Sequence, residues 1–588
     1  MEDRDARIAE AESLLADGEL GPGFADGLFF GTFPAERLGA YPLAQPSVEV
    51  AAQLASLAEY CHAHVDPVKI DREAVIPNAV VAGLGRTGVL GACLPRAFGG
   101  GGLSQVDYCR MMEILGGHCG GTALFVNAHH SIGPRALVLF GTPDQQRRYL
   151  PQLATGESLS AFALTEPEAG SDAANVQTTA TPTSDGTGYR LNGEKRWITN
   201  GGIADVLTVM ARTPRGSDGR GEITAFIVTP DMAGFEVIEQ RMDKCGVRGS
   251  ATARLAFRDL FVPRENILGE RGRGLKIALT VLDFGRVTFG ASCTGAARFC
   301  VARSTEHVQR RVQFGQALAE FELVRAKLAA MASDTFAMEA MTRQTAAMID
   351  RGGHEFMIET AMLKVFATER LWRIINDTIQ LYGGLAYFTD QPFERMMRDA
   401  RINTIGEGAN DVLRVFIALA GMRGVGGELQ QVLEALTTTS GKAGKVSAYF
   451  GRKLGSWIHP PDVPLRCGDL RDEASALASQ TRRFGAAVER ALRTYELAIL
   501  DRQYQLGRIS DVASELFASA CVLWRLDAES ASSDLSDAER LYHRTLGRHF
   551  LRRSTRHVAA LLHELGDNDD ALTTSTAEAV LRQAPPAK

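Results

Sequence analysis

Apolar residues in the first part of the chain recur at the three- and four-residue spacing of an amphipathic helix. The spacing is seen in two sets, Val48, Ala52, Leu54, Leu57 and Tyr60, and Leu137, Phe140, Tyr149 and Leu153. Because residues three and four apart lie on one face of an α-helix, each set predicts a helix with a buried side. We therefore predict an N-terminal helical domain over residues 1–160.

The pattern changes near residue 161, where short apolar runs are separated by glycine and proline. YRL at 189–191 and KRWIT at 195–199 flank Asn192-Gly193. Both turn residues tolerate the positive φ of a type I′ turn, so this stretch predicts a β-hairpin. Further strands are predicted at residues 206–209, 225–228 and 253–262. The simplest interpretation is a central antiparallel β domain over residues 161–273.

Helical spacing returns after Gly274. One helix face carries Leu328, Met331, Thr335, Met338 and Met341. A methionine-bearing stripe of this kind indicates packing rather than a binding surface. The glycine-rich residues 423–427 predict a boundary between a helical bundle domain at 274–422 and an additional C-terminal helical domain at 430–588. The order α, β, α, α gives an α+β multidomain fold class.

Composition narrows the class of protein. The chain has 588 residues, of which 45% are hydrophobic and 23% charged, as in ordinary globular proteins. Its 64 basic and 70 acidic residues leave a net charge of −6, which does not indicate a nucleic-acid-binding protein. No stretch approaches the roughly 18 consecutive apolar residues of a membrane span.

The N-terminus and the cysteines indicate a compartment. The chain opens MEDR, with acidic residues where a secretory signal carries positive charge, and it lacks an Arg-rich, acid-poor transit sequence. Its nine cysteines are scattered and never spaced C-x-x-C, which is typical of buried, reduced thiols and of neither a disulfide framework nor a zinc site. We expect a cytoplasmic protein without a metal site.

Several short motifs are unconvincing in their context. GLGRTG at 83–88 fits the dinucleotide-binding pattern, but it lacks a preceding strand and a following helix of useful length, so we interpret it as a helix end and a loop. His354-Glu355 has no second histidine four residues on. Adjacent His129 and His130 are interpreted as helix-end or core-edge residues and not as metal ligands. No nucleophile elbow and no phosphate-binding P-loop occur.

Widely separated segments, taken together, carry more information. They are LTEPEAGSD at 164–172, WITNGG at 197–202, RVQFG at 311–315 at the predicted start of a helix, QLYGG at 380–384, RDAR at 398–401 and EGANDVLR at 407–414. In these residues and their order the chain resembles the acyl-CoA dehydrogenase family, over about 45–422. The C-terminal helical domain, HSIG at 130–133 and NDVLRVFIALAG at 410–421 are most similar to the very-long-chain branch.

The resemblance implies FAD-dependent α,β-dehydrogenation of long or very-long acyl-CoA thioesters to trans-2-enoyl-CoA, as in fatty acid β-oxidation. Glu407 is then the base that removes the α-proton, which requires its pKa to lie well above about 4.3. Gly408 would let the backbone approach the thioester. In some relatives the base lies on an earlier helix, but the equivalent position here is Gly285. The alternative for Glu407 is a carboxylate that only stabilises the start of a helix.

The resemblance also implies a set of binding residues. The implied FAD contacts are Phe162, Leu164, Thr165, Ser171, Trp197, Ile198, Thr199, Arg311, Phe314, Gln380, Gly383, Gly384, Ala409, Asn410 and Asp411. The implied substrate contacts are Ser171, Asp283, Arg286 and Gly408, and the helix around residues 122–127 would floor the acyl tunnel. As an alternative, Trp197 would fill the core of the predicted hairpin. Ala409, Ala386 and Glu322 replace the usual Thr, Gly and Gln of the family.

The family further implies a homodimer, in which Arg311 and Phe314 reach the cofactor of the neighbouring subunit, and electron-transferring flavoprotein as the partner. Residues 436–461 contain no acidic side chain, and Val446, Phe450, Leu454 and Trp457 recur at helical spacing among lysines and arginines. This segment is a candidate for peripheral contact with the inner face of a membrane. The alternative is a loop folded onto the helical core or the partner subunit.

Two other functions on the same fold stay open at this level. One is a non-catalytic scaffold or assembly relative, against which the presence of Glu407 and both flavin segments argues. The other is a flavin monooxygenase or oxidase, which generally lacks the carboxylate equivalent to Glu407. The sequence does not determine the preferred length of the acyl chain.

Overall fold

A computed structural model describes residues 21–214, 221–437 and 459–583. The chain divides into two compact units. Unit 1 contains Tyr41–Asn410 together with Gly21, and unit 2 contains Pro22–Ala40 and the described residues from Asp411 onwards. Two short helices near the N-terminus, α1 (Phe24–Phe29) and α2 (Ala35–Leu38), belong to unit 2.

Unit 1 begins with helices, as predicted. They are α3 (Val48–His64), α4 (Pro67–Glu73), α5 (Asn78–Arg86), α6 (Gln105–His118), α7 (Gly120–Val126), α8 (Gly133–Phe140) and α9 (Pro143–Thr155). Residues 83–86 of the glycine motif form the end of α5, which confirms that no dinucleotide-binding turn is present there. Between α7 and α8 the helix widens into a π-helical segment, Asn127–Ile132, which we call the π segment.

The sheet of unit 1 has eight strands. They are β1 (Ser160–Ala163), β2 (Thr179–Pro182), β3 (Gly188–Ile198), β4 (Val206–Thr213), β5 (Glu222–Val228), β6 (Phe235–Glu239), β7 (Ala253–Pro263) and β8 (Ile267–Leu268). Seven follow the order β6-β7-β3-β2-β4-β5-β8, and β1 pairs with β4. Pairing is antiparallel except that β1 and β2 run parallel to β4. The predicted strands β4, β5 and β7 are therefore confirmed.

The hairpin predicted around Asn192-Gly193 is wrong. Residues 188–198 form one strand, β3, which pairs with β7 along its length and changes register between Leu191 and Gly193. Gly193 has φ +153°, and a Cβ there would lie 2.5 Å from the Thr178 hydroxyl oxygen. The glycine therefore marks a β-bulge where a neighbouring residue approaches closely, and not a turn.

Unit 1 continues with long helices. They are α10 (Gly274–Arg310), α11 (Glu322–Arg351), α12 (Met357–Tyr382) and α13 (Phe393–Arg401). Met331, Met338 and Met341 of α11 are buried, which confirms that the stripe is packing. Arg311 was predicted to start a helix, and this is wrong. It follows the end of α10 and leads into a short hairpin, β9 (Val312–Gln313) and β10 (Gln316–Ala317), because Phe314 and Gly315 turn the chain with positive φ.

The next helix, α14 (Asn410–Thr437), passes without a break through residues 423–427, so the boundary predicted there lies inside one helix. A glycine-rich stretch usually weakens a helix. Here Gly424, and Gly421 just before the stretch, lie close to aromatic side chains, whereas a Cβ on Gly426 or Gly427 would meet none of the described residues within 4 Å. A Cβ on Gly421 would lie 2.2 Å from the ring of Phe29, and one on Gly424 would lie 3.0 Å from the ring of Phe30. The glycines make room for aromatic side chains of α1 and the residue that follows it.

The remaining helices of unit 2 are α15 (Arg471–Tyr495), α16 (Gln503–Ser530), α17 (Asp537–Glu564) and α18 (Asp570–Gln583). The N-terminal segment of the chain contributes to their core. Phe24 packs against Phe517 with the ring centroids 6.0 Å apart, and the indole N–H of Trp524 donates to the carbonyl of Gly39 at 2.8 Å. Phe29 packs on Phe484 at 5.2 Å.

No helix among residues 21–214, 221–437 and 459–583 combines the length and hydropathy that a membrane span requires. Most of the candidate lipid-contact segment, residues 436–461, lies outside the described residues. The nine cysteines are free thiols, and six of them are buried, as predicted. The prediction of burial is wrong for Cys245, which is exposed, while Cys93 and Cys467 are partly buried.

Candidate active site

Glu407 lies in a turn immediately before α14. Glu407 has φ +56° and Gly408 has φ +99°, so two successive residues with positive φ reverse the chain. Lys364, on the second turn of α12, holds this turn in place through two hydrogen bonds. Its Nζ donates to the carbonyl of Gly408 at 2.7 Å and to Oδ1 of Asn410 at 2.9 Å. The lysine therefore holds the backbone on the C-terminal side of Glu407 in place.

The carboxyl group of Glu407 is buried, and its two oxygens have different surroundings. Oε1 accepts a hydrogen bond from Nδ2 of Asn127 at 2.6 Å. Oε2 is buried and has no hydrogen-bond partner among the described residues. A Cβ on Gly285 would lie only 2.8 Å from Oε2, so the missing side chain leaves the space that this oxygen occupies. A surface carboxylate that merely begins a helix would not be enclosed in this way.

Burial raises the pKa of Glu407 to about 7. Lys364, Arg286 and the hydrogen bond from Asn127 act in the opposite direction, because each favours the ionised carboxylate. Burial also lowers the pKa of Lys364, to about 8, although Glu407 and other anionic groups oppose that change. A carboxyl group with a pKa near neutrality is suited to accept a proton at physiological pH.

Asp283 and Arg286, the two predicted substrate contacts on α10, are buried under the same turn. Arg286 Nη1 lies 2.8 Å from Asp283 Oδ1, which also accepts from the hydroxyl of Thr360 at 2.9 Å. Arg286 Nε lies 3.5 Å from the carbonyl oxygen of Glu407. Burial raises the pKa of Asp283. The structure thus brings both residues to the backbone of the candidate base.

A cleft runs from Asn127 between α6, α7, α10, α12 and α13. Small residues, Gly116, Gly120 and Ala123, line one side. Apolar side chains that include Leu124, Phe289, Leu371, Ile375 and Met396 line the rest. The cleft also contacts Asp399, a buried carboxyl whose pKa burial raises to about 6. This arrangement offers an apolar path that begins next to Glu407.

The two predicted flavin segments of the β domain lie side by side. The backbone N–H of Arg196 donates to the carbonyl of Thr165 at 3.0 Å, and Lys195 Nζ donates to the carbonyl of Leu164 at 2.9 Å. Trp197 is 49% exposed and has φ +59°. It therefore does not fill a hairpin core, and that alternative is wrong.

Hydrogen bonds connect these segments to the neighbourhood of Glu407. Asn200 Nδ2, just beyond Trp197, donates to the carbonyl of Phe125 at 3.1 Å, two residues before Asn127. At the start of β1, the backbone N–H of Ser160 donates to Nδ1 of His129 at 3.1 Å. The π segment is thus in contact with the base and with β1. α7 is in contact with the turn at residues 199–203, directly after β3, which we call the Trp197 turn. His129 and His130 are both fully buried in the core and not at its edge.

The remaining predicted residues differ in their position and in their exposure. Arg311, Phe314, Gln380, Gly383 and Gly384 are exposed at the far ends of α10 and α12. There His307 stacks on Tyr382 with the ring centroids 4.0 Å apart. Ser171 and Asp411 are exposed, Leu164, Ile198 and Asn410 are buried, and Phe162, Thr165, Thr199, Gly408 and Ala409 are partly buried. Arg311, Phe314, Gln380, Gly383 and Gly384, at these far helix ends, are not brought to Glu407 within one chain.

The sequence interpretation missed Lys364 and did not single out Asn127. Lys364 is a single charge in the apolar run MLKVF at 362–366, and Asn127 is a single polar residue after ALFV at 123–126. An isolated polar residue in a buried helix needs a partner, so each was a signal of a buried polar site. Neither signal identifies the partner.

The exposed residues of the β domain fit a flavin. A flat heteroaromatic ring needs an apolar surface and hydrogen-bond donors at its edge. The half-exposed indole of Trp197 provides the first, while the hydroxyls of Thr165 and Thr199 and nearby peptide groups provide the second. Because β1 and the Trp197 turn are tied to the π segment and to α7, a ring bound there would lie on the side of the molecule that holds Glu407.

Comparison with known protein families agrees over most of the chain. Residues 49–157, 161–260 and 272–422 match the N-terminal, middle and C-terminal domains of acyl-CoA dehydrogenase. Residues 468–584 match a domain described as "ACAD9/ACADV, C-terminal domain". The matches follow one another in the order expected for a single enzyme with an additional C-terminal helical unit.

Individual relatives support the same assignment. The human mitochondrial very long-chain specific acyl-CoA dehydrogenase is 36% identical over 87% of this chain and 79% of its own length. A probable acyl-CoA dehydrogenase, FadE10, of Mycobacterium tuberculosis is 33% identical over 97% of this chain and 90% of its own. The crystal structure of an acyl-CoA dehydrogenase complexed with FAD from Bacillus anthracis superposes with a TM-score of 0.77 at 28% identity, covering 98% of this chain and 96% of that one. The chain therefore belongs to the acyl-CoA dehydrogenase family, whose members are FAD-dependent oxidoreductases of acyl-CoA thioesters.

Proposed function

We propose that Glu407 is the base that removes the α-proton of a long-chain acyl-CoA thioester. The observation that carries this proposal is the buried carboxyl group with a pKa of about 7, one oxygen held by Asn127 and the other bare, at the head of an apolar cleft. A base whose pKa lies near the working pH is ionised often enough to react and basic enough to take the proton.

Each group around Glu407 has a part in this reaction. Oε2, which has no partner, is the oxygen available to receive the proton. The positive φ of Glu407 and Gly408 brings the backbone of the turn towards the bound thioester, whose carbonyl oxygen the N–H of Glu407 would stabilise as negative charge develops. Lys364 keeps that backbone in place. FAD, when bound, supplies the acceptor for the hydride that leaves the β-carbon.

We propose that Phe162–Thr165, Ser171 and Trp197–Thr199 hold the flavin ring of the same chain. Arg311, Phe314, Gln380, Gly383 and Gly384 would contact the cofactor of a second copy. The 25 helical steps from Gly285 to Arg310 on α10 span about 38 Å at 1.5 Å per step, too far for one cofactor to touch both ends. Ala409, Asn410 and Asp411 would contribute where α14 begins.

Exposed apolar side chains also support the proposed homodimer. The hairpin β9–β10 and the segment after α12 expose large apolar side chains: Phe314 is 96% exposed and Tyr387 78%, and Val312, Leu385 and Phe388 are also exposed. The stacking of His307 on Tyr382 puts the two segments next to each other. Exposed apolar residues in one area of a soluble domain are typical of a protein–protein interface.

The proposed substrates are long or very long acyl chains. The apolar cleft begins at Asn127, next to Glu407, and its apolar side chains, which include Leu124, Phe289 and Leu371, would contact the methylene groups of an acyl chain. The relatives named very long-chain specific are consistent with this class. Electron-transferring flavoprotein is the proposed electron acceptor, and contact of residues 436–461 with a membrane stays a proposal.

The test is anaerobic bleaching of the flavin absorbance by saturated acyl-CoAs of four to twenty carbons, with the wild type and Glu407→Gln. We expect bleaching with the long chains and a loss of at least about a thousandfold in its rate in the variant. Unchanged bleaching in Glu407→Gln would remove Glu407 from the mechanism. Protein that stays colourless with added FAD would favour a scaffold, and rapid consumption of oxygen during turnover would favour an oxidase.

A further inference from the structure

Asn127 lies between the carboxyl group of Glu407 and the hydroxyl group of Thr288 on α10. Its side chain is 1% exposed. Nδ2 donates to Oε1 of Glu407 at 2.6 Å, and the hydroxyl of Thr288 donates to Oδ1. Because Oδ1 is taken by a hydroxyl donor, the amide turns its N–H groups towards Glu407. The orientation of the amide is therefore set from the side opposite the base.

The polar contacts continue behind Thr288. Its Oγ1 lies 3.0 Å from Oγ of Ser131, which lies 3.3 Å from the phenol oxygen of Tyr108. The ring of Tyr108 packs on His130 with the centroids 4.1 Å apart. Asn127, Ser131 and His130 all belong to the π segment, in which one residue more per turn changes the direction of the side chains that follow. Asn127 is the first residue of this segment and follows directly on α7.

We propose that Asn127 is a positioning residue for the base: it holds Oε1 and the ionised form of Glu407, so that Oε2 alone is presented to the α-proton. The inference rests on the proposed role of Glu407. It goes beyond that role because it assigns different tasks to the two carboxylate oxygens and names the residue that separates them.

The charged groups around Glu407 do not replace this hydrogen bond. The Nζ of Lys364 points at Gly408 and Asn410, and Arg286 pairs with Asp283. Cys293, also on α10, is a buried thiol whose pKa burial raises to about 12, so it stays neutral. Among the described residues, Asn127 alone hydrogen-bonds to the Glu407 carboxylate. Its donation favours the charged form and lowers the pKa of Glu407, against the larger effect of burial.

Asn127→Leu removes the donor and keeps the number and branching of the side-chain heavy atoms, although leucine is the larger residue. The hydroxyl of Thr288 then has other acceptors, the carbonyls of Gly285 at 3.0 Å and Phe284 at 3.2 Å, so the substitution does not leave it without a partner. We expect the acid limb of the kcat/KM profile to move up by about one pH unit or more, because the ionised carboxylate loses a charge-assisted hydrogen bond. At pH 7 we expect kcat/KM to fall about fivefold or more, because the ionised fraction of Glu407 falls from about one half to about one tenth, with recovery at higher pH.

Thr288 provides a second, milder test. Thr288→Val removes the hydroxyl that orients the amide and keeps the shape, whereas Thr288→Ser keeps the hydroxyl. We expect Thr288→Val to move the acid limb in the same direction by a smaller amount, and Thr288→Ser to leave it near its wild-type position. This pair keeps the inference testable if Asn127→Leu does not fold.

The experiment measures kcat/KM against pH on FAD-loaded protein, with flavin content and the thermal midpoint as checks of structure. Asn376→Leu, the same change at an exposed position of α12, is the matched control and should not move the profile. An acid limb that stays in place in Asn127→Leu and Thr288→Val, while Glu407→Gln abolishes turnover, would overturn this inference alone. Full turnover in Glu407→Gln would instead overturn the proposed function.

Discussion

Unit 1 buries two glutamates next to two lysines, and the pairs behave differently. In the β domain, Glu166 is paired with Lys195 on β3, with Oε1 2.7 Å from Nζ and both side chains almost fully buried. At the candidate active site, Glu407 lies near Lys364, which directs its Nζ at the backbone of Gly408 and at Asn410. The same two residue types are therefore combined in two geometries.

The hydrogen bonds account for the difference. Both oxygens of Glu166 are occupied, since Oε1 also accepts from the N–H and hydroxyl of Thr178 and Oε2 accepts from the N–H of Gln177 at 2.5 Å. Although burial acts to raise the pKa of Glu166, Lys195 and these donors outweigh it and lower the pKa. Glu407 has one donor and a bare Oε2, so burial prevails and its pKa rises to about 7.

The comparison teaches that burial of a Lys–Glu combination does not by itself define a role. A carboxylate whose lone pairs are all occupied is a structural anchor, here for the LTEP segment next to the proposed flavin site. A carboxylate that keeps one oxygen free, and whose neighbouring lysine bonds to other groups, is suited to exchange a proton. Two substitutions and the pH profile of the unmodified protein test this distinction.

The largest effect is expected for Glu166→Gln. The variant leaves the Lys195 ammonium buried without its counter-ion, which costs about 3–5 kcal/mol of unfolding free energy. Urea unfolding of the FAD-loaded protein measures it. The matched control is Glu194→Gln, which breaks a half-exposed pair with Arg254 and should cost at most about 1 kcal/mol. Equal costs for the two variants would show that Glu166 is not a structural anchor.

A smaller effect on stability, together with a clear effect on chemistry, is expected for Lys364→Met. The methionine fills a similar volume but leaves the Gly408 carbonyl and Asn410 Oδ1 without their donor, at about 1–3 kcal/mol of unfolding free energy. Loss of the cation also destabilises ionised Glu407, so its pKa rises and kcat/KM falls at pH 7. Lys327→Met, which breaks a partly exposed pair with Asp377, is the control and should not move the pH profile. A profile that stays in place in Lys364→Met would mean that Lys364 does not act on the base.

The smallest expected effect is the pH dependence of kcat/KM in the unmodified protein. Glu407 acts as a base only when it is ionised and its pKa is raised to about 7, so kcat/KM should rise with pH and level off above that value. Below it the loss is tenfold per pH unit, or about 1.4 kcal/mol. An acyl-pantetheine substrate, which carries no phosphate groups, keeps titration of the substrate out of the profile. An acid limb near pH 4.5 would place Glu407 in the same class as an ordinary exposed glutamate.

The site could be predicted only in part. The segments LTEPEAGSD, WITNGG and EGANDVLR indicated a family and, through it, Glu407 and the flavin region. They gave no indication that Asn127 or Lys364 would contact the turn at residues 407–410, because these residues are 280 and 44 positions away along the chain from the atoms they bind. A hydrogen bond across such a separation depends on how the helices pack, which no local sequence pattern predicts.

The errors in the fold have one origin. Asn192-Gly193 favours a turn and residues 423–427 weaken a helix when only local preference is considered. In the structure, Gly193 is a bulge facing Thr178, and Gly421 and Gly424 make room for Phe29 and Phe30. The helix start predicted at Arg311 is wrong for a similar reason, because Phe314 and Gly315 form the turn of a hairpin after the end of α10. In each case a glycine served a contact or a turn that its neighbours in sequence do not reveal.

Hydrophobic periodicity determined by itself that helices flank a central β region and that a further helical unit follows, because each periodicity can bury an apolar face in only one kind of element. Only the tertiary structure decided which buried carboxylate is held on both oxygens and which keeps one free. That choice depends on which donors surround each group: Lys195, Gln177 and Thr178 donate to Glu166, whereas among the described residues only Asn127 of the π segment donates to the Glu407 carboxylate. The pKa of a buried group is set by the few atoms within hydrogen-bonding distance, and packing chooses those atoms.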